Sequence, residues 1–396
     1  MELLIQSFRH LKKTAVFVCF LVTSNISAQD FRQKLTSALN EHQKQSGLPG
    51  FAVCVVDENG VLYERGFGYA DIESKRPYTI KTIENVGSVS KTIVGLALVK
   101  AIQANYLSMD SEINDYLSFN VTNPYFPDSP ILVKHLATHT SSILDTKNYG
   151  KSYVQSKERS DKTNVNQDFL NFISSHDMLS LADFLANILT KQGDWYKKKN
   201  FLKTAPGTQK EYANLNAALM ALVIEKATGS SFIDYSQTEI FDPLQMTESG
   251  WSKNKNNLEN IATLYFPNGQ VVPNYSLITY PDGGLYSSVS DLNKYLCEVI
   301  KAYIGQSDFL ELEAAKLLLP GDQDNNRAFW GIGEKSKNIG HSGSDPGVQS
   351  DLQFNATTKI GRIILSNVNA EDNEDLWGQY QEIHRIISKF EPYLAN

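Results

Sequence analysis

Two residues three positions apart, Ser88 and Lys91, have the side chains that nucleophilic catalysis needs. A serine hydroxyl is a weak nucleophile at neutral pH and requires a base held beside it. Positions i and i+3 of a helix lie on one face, so the Lys91 amine would stand next to the Ser88 hydroxyl. The following run, Ile93 to Ile102, is apolar on nearly every side, which is typical of a buried helix. Because burial disfavours a charged ammonium, Lys91 is a candidate proton acceptor.

The same spacing also fits an N-capped core helix without catalysis, and the two residues alone leave both interpretations open. A second copy of the pattern, Ser252 and Lys255, lies in a polar stretch with no apolar helix behind it. That copy is predicted to be a solvated loop. The sequence context therefore separates the two copies.

A second cluster is formed by Tyr212 and Asn214, which flank Ala213 just before a helical pattern. Both side chains would project from one turn toward a shared cleft. A phenol becomes a general base only beside a cation, and Lys91 would supply that charge. The structural alternative is a packed tyrosine with a satisfied hydroxyl, which is the commoner role of such a residue.

A third cluster is the glycine-rich stretch from Gly340 to Ser344. Glycine lets the backbone pass close to a ligand, and His341 within the stretch can donate a hydrogen bond. The structural alternative is a hairpin corner with a half-exposed histidine.

The three clusters together resemble the serine β-lactamase and penicillin-binding protein superfamily, in particular its class C β-lactamase-like branch. The motifs stand in the order of that family: Ser88-x-x-Lys91, Tyr212-x-Asn214 and His341-x-Gly343. Six further segments follow the family pattern: Leu48–Gly50, Gly66–Asp71, His135–Ser141, Pro243–Met246, Gly283–Leu285 and Trp330–Gly333. The resemblance covers roughly residues 30 to 390.

The resemblance implies catalytic roles for three residues. Ser88 would accept the acyl group, Lys91 would be its base and proton shuttle, and Tyr212 would be the general base that also activates the deacylating water. Four positions would contact the substrate: Asn214, His341, Gly343 and Ser344. The backbone N–H groups of Ser88 and Ser344 would form the oxyanion hole. No cofactor or metal is implied, and the expected substrate is a small molecule or a peptide.

One departure from the family bears on the substrate. Class C β-lactamases usually have a lysine at the position of His341, and a histidine is largely neutral at pH 7. Its attraction for a substrate carboxylate is weaker, which favours a D-Ala peptidase or esterase over a dedicated β-lactamase. A class C β-lactamase and a non-catalytic penicillin-binding sensor are the alternatives. If His341 binds a carboxylate, activity on such substrates should rise as the pH falls toward the histidine pKa.

The expected fold is α+β and similar to that of β-lactamases and DD-peptidases: an α/β lobe on a central antiparallel sheet flanked by helices, plus a helical lobe. Residues 51–56 and 61–66 predict an antiparallel hairpin across the turn at 57–60. Residues 29–105 and 255–396 are assigned to the sheet lobe and residues 106–254 to the helical lobe. The separation of Ser88 and Tyr212 is longer than is usual in the family, which indicates an insertion around residues 145–200. Its polar part, residues 147–166, is predicted to be exposed.

Two other enzyme classes were considered. His135 and His139 stand at i and i+4, as zinc ligands can, but no Glu follows His135 and the chain has only seven histidines, so a metal site is disfavoured. An α/β-hydrolase is disfavoured because no G-x-S-x-G motif occurs.

The first 28 residues have the order of a secretory signal peptide: positive residues, an apolar core from Ala15 to Val22, and small residues up to Ala28. That core is too short to cross a bilayer, which takes about 20 residues, so the mature protein is expected to be exported to the periplasm or secreted.

Cleavage there removes three Lys/Arg and one Glu, which makes the formal charge of −7 more negative by two units. An acidic surface argues against nucleic-acid and anionic-membrane partners. Cys54 and Cys297 remain, and either one disulfide or two buried thiols fit the sequence.

Overall fold

The computed structural model describes residues 28–157, 162–252, 255–321 and 326–394. The predicted signal peptide, residues 1–28, lies outside the described residues except for its last position. Twelve strands occur in the described part: β1 (Gly50–Asp57), β2 (Gly60–Asp71), β3 (Arg76–Pro77), β4 (Ile83–Asn85), β5 (Tyr153–Gln155), β6 (Tyr275–Leu277), β7 (Tyr286–Ser288), β8 (Asn326–Arg327), β9 (Trp330–Ile332), β10 (Asn338–Asp345), β11 (Val348–Asn355) and β12 (Gly361–Ser366).

Ten α-helices occur in the same part: α1 (Ala28–Gln45), α2 (Ser90–Gln103), α3 (Val133–Ala137), α4 (Gln167–Ser174), α5 (Leu181–Leu189), α6 (Asn214–Thr228), α7 (Phe232–Ser236), α8 (Val289–Tyr303), α9 (Leu312–Leu318) and α10 (Glu374–Leu394). Among the described residues, no helix is both long and apolar enough to span a membrane.

Eight strands form one antiparallel sheet in the order β3-β2-β1-β12-β11-β10-β9-β8. The predicted hairpin is confirmed, because β1 pairs with β2 across the turn before Gly60. Two short antiparallel pairs lie outside this sheet: β4 with β7, and β5 with β6. The expected α+β architecture with a central antiparallel sheet is confirmed.

The sheet is covered on both faces, which explains why β1 reads as an unbroken apolar run. Successive side chains of a strand point to opposite faces. Phe51, Val53 and Val55 join a cluster with residues of α1 and α10. Ala52, Cys54 and Val56 join the larger core that includes α2, α6 and α8.

Helix α2 lies in the middle of that larger core. Its residues from Ser90 to Val99 are buried, which confirms the prediction of a helix buried on every side. Ser88 itself lies in a single 3₁₀ turn, Gly87–Val89, that precedes α2. The predicted first helical turn is therefore a tighter turn, which keeps Ser88 three positions from Lys91.

Residues 147–166 are packed more tightly than their polar composition predicts. A 3₁₀ helix, Lys147–Ser152, leads into β5, which pairs with β6. Ser152 and Val154 are buried. The prediction of an exposed excursion is wrong for residues 147–155. Their tyrosines donate hydrogen bonds to Asp282 and Asp345, which are far along the chain and are not revealed by local polarity.

Both cysteines of the described residues are free thiols. Cys54 is buried in β1, and burial raises its pKa well above the usual value. Cys297, in α8, has its pKa raised to about 12 by burial. The two residues therefore stay in the core as apolar thiols.

Candidate active site

The turn before α2 brings Ser88 and Lys91 into direct contact. Lys91 is completely buried, and its Nζ donates to Ser88 Oγ at 2.8 Å and to the backbone oxygen of Asp282 at 2.5 Å. The ammonium is thus aimed by two acceptors, one on its own turn and one far along the chain. This geometry can hand a proton between the serine and the lysine.

Tyr212 approaches the same hydroxyl from the turn that precedes α6. Its Oη lies 3.1 Å from Ser88 Oγ, across 124 positions of the sequence. Its ring centroid is 5.4 Å from Lys91 Nζ and 4.6 Å from the ring of His139. The structure therefore brings the serine, the amine and the phenol to one point, as the three motifs predict.

Asn214 is the first residue of α6, immediately after the Tyr212 turn. Its backbone N–H donates to Asp145 Oδ2 at 2.6 Å, and the N–H of Leu215 donates to Asp145 Oδ1 at 3.1 Å. A carboxylate at a helix N-terminus accepts hydrogen bonds from the free N–H groups and interacts favourably with the positive end of the helix dipole. Burial raises the pKa of Asp145, and these hydrogen bonds act against that rise. Sequence analysis missed this support for the Tyr212 turn.

His139 supports the same turn, because the Ala213 N–H donates to its Nδ1 at 3.4 Å. Its Nδ1 lies 3.1 Å from Asn216 Nδ2, and burial with the nearby Lys91 charge holds its pKa well below the usual value. His135 Nδ1 accepts the N–H of Leu132 at 3.1 Å. Within the described ranges, no group of three His, Cys, Asp or Glu side chains is arranged to hold a metal ion.

Strand β10 crosses directly over the serine turn, and two glycines permit the approach. A Cβ on Gly343 would lie 2.3 Å from the Val86 oxygen and 2.9 Å from the Ser88 nitrogen. Gly87 has φ +51°, and a Cβ there would lie 3.0 Å from the Ser344 nitrogen. The backbones that carry Ser88 and Ser344 are therefore neighbours because neither glycine has a side chain.

His341 lies on β10 beside the phenol, with its ring centroid 6.2 Å from that of Tyr212. Its Nδ1 is 2.5 Å from the Ser342 backbone oxygen. Since a carbonyl only accepts, Nδ1 carries the hydrogen. Burial, followed by the Lys91 charge, lowers the pKa of His341 to about 4. The ring is therefore still neutral near pH 6.5, where a histidine with an unshifted pKa would be half protonated.

Two further acids near Lys91 were not singled out as site residues from the sequence. Burial raises the pKa of Asp282 to about 7 and that of Asp345 to about 6, and the Lys91 charge opposes both rises. Each receives a hydrogen bond from a tyrosine of residues 147–155: Tyr149 to Asp282 at 2.9 Å and Tyr153 to Asp345 at 2.6 Å. Their positions in the sequence could have identified them, because Asp282 directly precedes the Gly283–Leu285 segment and Asp345 directly follows Ser344.

The chain is similar to known proteins of one family. A family model described as Beta-lactamase matches residues 35–385. Protein flp of Staphylococcus aureus (strain MRSA252) is 23% identical over 352 residues, which cover 86% of this chain and 64% of that protein. The chain thus spans slightly less than two thirds of the length of that relative.

Solved structures show the same fold. The octameric penicillin-binding protein homologue from Pyrococcus abyssi is 25% identical, with a TM-score of 0.66 over 85% of this chain and 73% of its own. A class C beta-lactamase is 20% identical, with a TM-score of 0.65 over 92% of this chain and 98% of its own.

Proposed function

The chain belongs to the beta-lactamase family, and from that premise we propose that it is an exported serine hydrolase that forms an acyl-enzyme on Ser88. The single observation that carries the proposal is that Ser88 Oγ is within hydrogen-bond distance of both Lys91 Nζ, at 2.8 Å, and Tyr212 Oη, at 3.1 Å. A nucleophile with a base held against it is the arrangement that acyl transfer requires.

In the proposed acylation, Ser88 Oγ attacks a carbonyl carbon and gives its proton to the Lys91 amine. The proton passes by way of Tyr212 to the leaving group as its bond to the carbonyl breaks. In deacylation, Tyr212 takes a proton from water, the water oxygen attacks the acyl carbon, and Ser88 recovers its proton. Asn214 orients the substrate amide in this proposal.

The proposed oxyanion hole consists of the backbone N–H groups of Ser88 and Ser344. Support comes from the close approach of β10 to the serine turn at Gly343. Loss of one donor aimed at a developing oxyanion typically costs about 3 to 4 kcal/mol of barrier. Among the proposed contacts, His341 and Gly343 line the strand along which the substrate backbone would lie.

The substrate class we propose is an ester or amide, with peptidase and esterase activity favoured over a dedicated β-lactamase. Burial and the Lys91 charge hold the pKa of His341 at about 4. The neutral imidazole therefore has no charge with which to bind a carboxylate. Export rests on the pattern of residues 1–28, and the two-lobe division at 29–105 with 255–396 and at 106–254 is likewise part of this proposal.

Covalent labelling tests the proposal. The purified protein is incubated with a fluorophosphonate and, separately, with a fluorescent penicillin, and the adduct is located by mass spectrometry. We expect label on Ser88, none in Ser88→Ala, and full label in Ser37→Ala, a matched change at an exposed serine of α1. A folded protein that no acylating probe modifies would overturn the proposal and favour the non-catalytic sensor.

A substrate panel then separates the hydrolase classes. Initial rates are compared for p-nitrophenyl acetate, nitrocefin and a D-Ala-D-Ala peptide. The proposal predicts a higher kcat/KM for the neutral ester than for nitrocefin, because the ester needs no cation at His341. The opposite order would identify a class C type β-lactamase.

A further inference from the structure

Asp282 is buried beside the proposed catalytic lysine and belongs to none of the three motifs. It closes the 3₁₀ helix Tyr280–Asp282 and is only 1% exposed. Its backbone oxygen accepts from Lys91 Nζ at 2.5 Å. The residue that aims the amine therefore also carries a carboxyl group close to it.

The carboxyl group of Asp282 has one strong partner. Oδ1 accepts from Tyr149 Oη at 2.9 Å, while the buried Oδ2 has no well-formed hydrogen bond among the described residues, and the Thr279 side chain also acts on the carboxyl group. A buried carboxylate that lacks partners favours its neutral form. The ionisable groups that face Asp282 are Lys91 from α2, Asp145 from the loop between α3 and the 147–152 turn, Tyr149 from that turn and Tyr153 from β5.

These groups place the titration of Asp282 in the neutral range. Burial raises its pKa, and Asp145 adds to the rise. The Lys91 charge opposes the rise most, followed by the Thr279 side chain and the Tyr149 hydrogen bond, which leaves the pKa at about 7. The carboxyl group thus changes charge over the pH range in which the hydrolase would work.

We propose that Asp282, held by Tyr149, is a positioning residue that controls how readily Lys91 accepts the Ser88 proton. When Asp282 is ionised, its negative charge stabilises the Lys91 ammonium and holds the proton on it. When Asp282 is neutral, this electrostatic stabilisation of the ammonium is absent, and the neutral amine that can accept the serine proton is favoured. The inference rests on the proposed acyl-enzyme at Ser88.

The same contact gives residues 147–155 a role in the site. Tyr149 donates to Asp282, next to the base, and Tyr153 donates to Asp345, directly after Ser344. The two tyrosine rings also meet edge to face, with centroids 6.3 Å apart. One segment therefore braces both the lysine and the strand of the proposed oxyanion hole.

The kinetic test measures the rate of fluorophosphonate labelling of Ser88 from pH 5 to 9. We expect an inflection near pH 7 in the unmodified protein and no inflection in Asp282→Asn. In Tyr149→Phe the inflection should move up by as much as about one pH unit, because loss of a hydrogen bond to the carboxylate raises the pKa of Asp282. The matched control Tyr106→Phe, at a tyrosine that is 47% exposed, should leave the inflection in place.

A second readout does not require a reactive serine. The carboxyl ¹³C resonance that disappears in Asp282→Asn should titrate near pH 7, and it should titrate at a higher pH in Lys91→Met, because the opposing positive charge is lost. A resonance that titrates near the ordinary aspartate pKa of about 3.9 would overturn the inference, whatever the kinetics show.

The outcomes separate the two proposals. If the unmodified protein is labelled and Asp282→Asn keeps the same pH profile, the role of Asp282 is wrong and the acyl-enzyme stands. If the unmodified protein is not labelled at any pH, the acyl-enzyme proposal fails and the control exerted through Lys91 fails with it.

Discussion

The two side chains next to the Ser88 hydroxyl differ in their exposure to solvent: Lys91 is buried and Tyr212 is half-exposed. Lys91 is enclosed by protein, so its charge is held by the Ser88 hydroxyl and the Asp282 oxygen rather than by water. Tyr212 is 46% exposed, so its phenol can reach both the serine and a water molecule. In the proposed mechanism, the buried amine serves acylation and the exposed phenol serves deacylation.

Replacement of Tyr212 by Phe tests the phenol. We expect a loss of about 10²- to 10⁴-fold in the rate of ester hydrolysis, the usual contribution of a general base, with the melting temperature nearly unchanged because the ring still packs on His139. Initial rates and thermal unfolding are the measurements. Tyr106→Phe, at a tyrosine of similar exposure (47%), should keep full activity. A fully active Tyr212→Phe variant would remove the phenol from the mechanism.

The pH behaviour of His341 differs from the expectation based on sequence. With its pKa lowered to about 4, the imidazole is neutral from pH 5.5 to 8, so His341 adds no pH dependence to the KM for nitrocefin, which carries a carboxylate. His341→Lys should lower that KM about tenfold, through a hydrogen bond to a charged group, and leave the KM of p-nitrophenyl acetate unchanged. A steep fall in the KM of the unmodified protein below pH 7 would show that the imidazole charges there.

Among the secondary-structure elements, β10 and the serine turn depend most closely on each other. The turn presents Ser88 beneath the strand, and the strand comes close only because Gly343 has no side chain. Ser350 of the next strand, β11, ties the same turn down by donating to the Val86 oxygen at 2.7 Å. The spacing between nucleophile and strand is therefore set by backbone contacts.

Gly343→Ala should disrupt this contact. Its new methyl group would lie 2.3 Å from the Val86 oxygen, so the strand must shift, at a cost of about 1 to 3 kcal/mol and with loss of Ser88 labelling. Urea unfolding and fluorophosphonate labelling are the measurements. The control is Gly378→Ala on α10, where nothing lies within 4 Å of the new methyl group and helix propensity predicts a gain of about 0.5 to 1 kcal/mol. Equal stability and labelling in the two variants would contradict the argument.

The molecule as a whole buries carboxyl groups away from the serine too, and these link its global stability to pH. Glu84 of β4 is completely buried, and burial raises its pKa to about 8. A group with a raised pKa binds more protons in the folded than in the unfolded state. The contribution of Glu84 to stability is therefore fully present below the unfolded pKa of about 4.3 and is lost as the pH rises through 8.

Glu84→Gln should remove this part of the pH dependence. The variant has no carboxylate to ionise, so its free energy of unfolding should exceed that of the unmodified protein at pH 9 by on the order of 4 kcal/mol, with a much smaller difference at pH 5. Urea unfolding at both pH values measures the effect. Glu334→Gln, at an exposed position, is the control. If the free energies of unfolding of the variant and the unmodified protein differ by the same amount at pH 5 and pH 9, Glu84 does not titrate between these pH values.

Local patterns in the sequence were sufficient for the parts of this protein that depend on neighbours along the chain. The Ser88 and Lys91 spacing, the buried run of α2 and the β1–β2 hairpin follow from periodicity and turn chemistry, which act over a few residues. The convergence of Tyr212 and His341 on the serine was expected from the order of three motifs and their resemblance to a family, and not from any local rule.

Only the tertiary structure decided the partners and the electrostatics. Asp282 contacts Lys91 across 191 positions of the sequence, and Tyr149 contacts Asp282 across 133. The spacing of residues along the chain therefore predicts neither contact. Burial and the Lys91 charge lower the pKa of His341, whereas burial raises the pKa of Asp282 against the effect of the same charge. These environments exist only after folding. Sequence determined which groups this protein has for chemistry, and the packed structure decided which of them are charged, because desolvation depends on what surrounds a side chain in space.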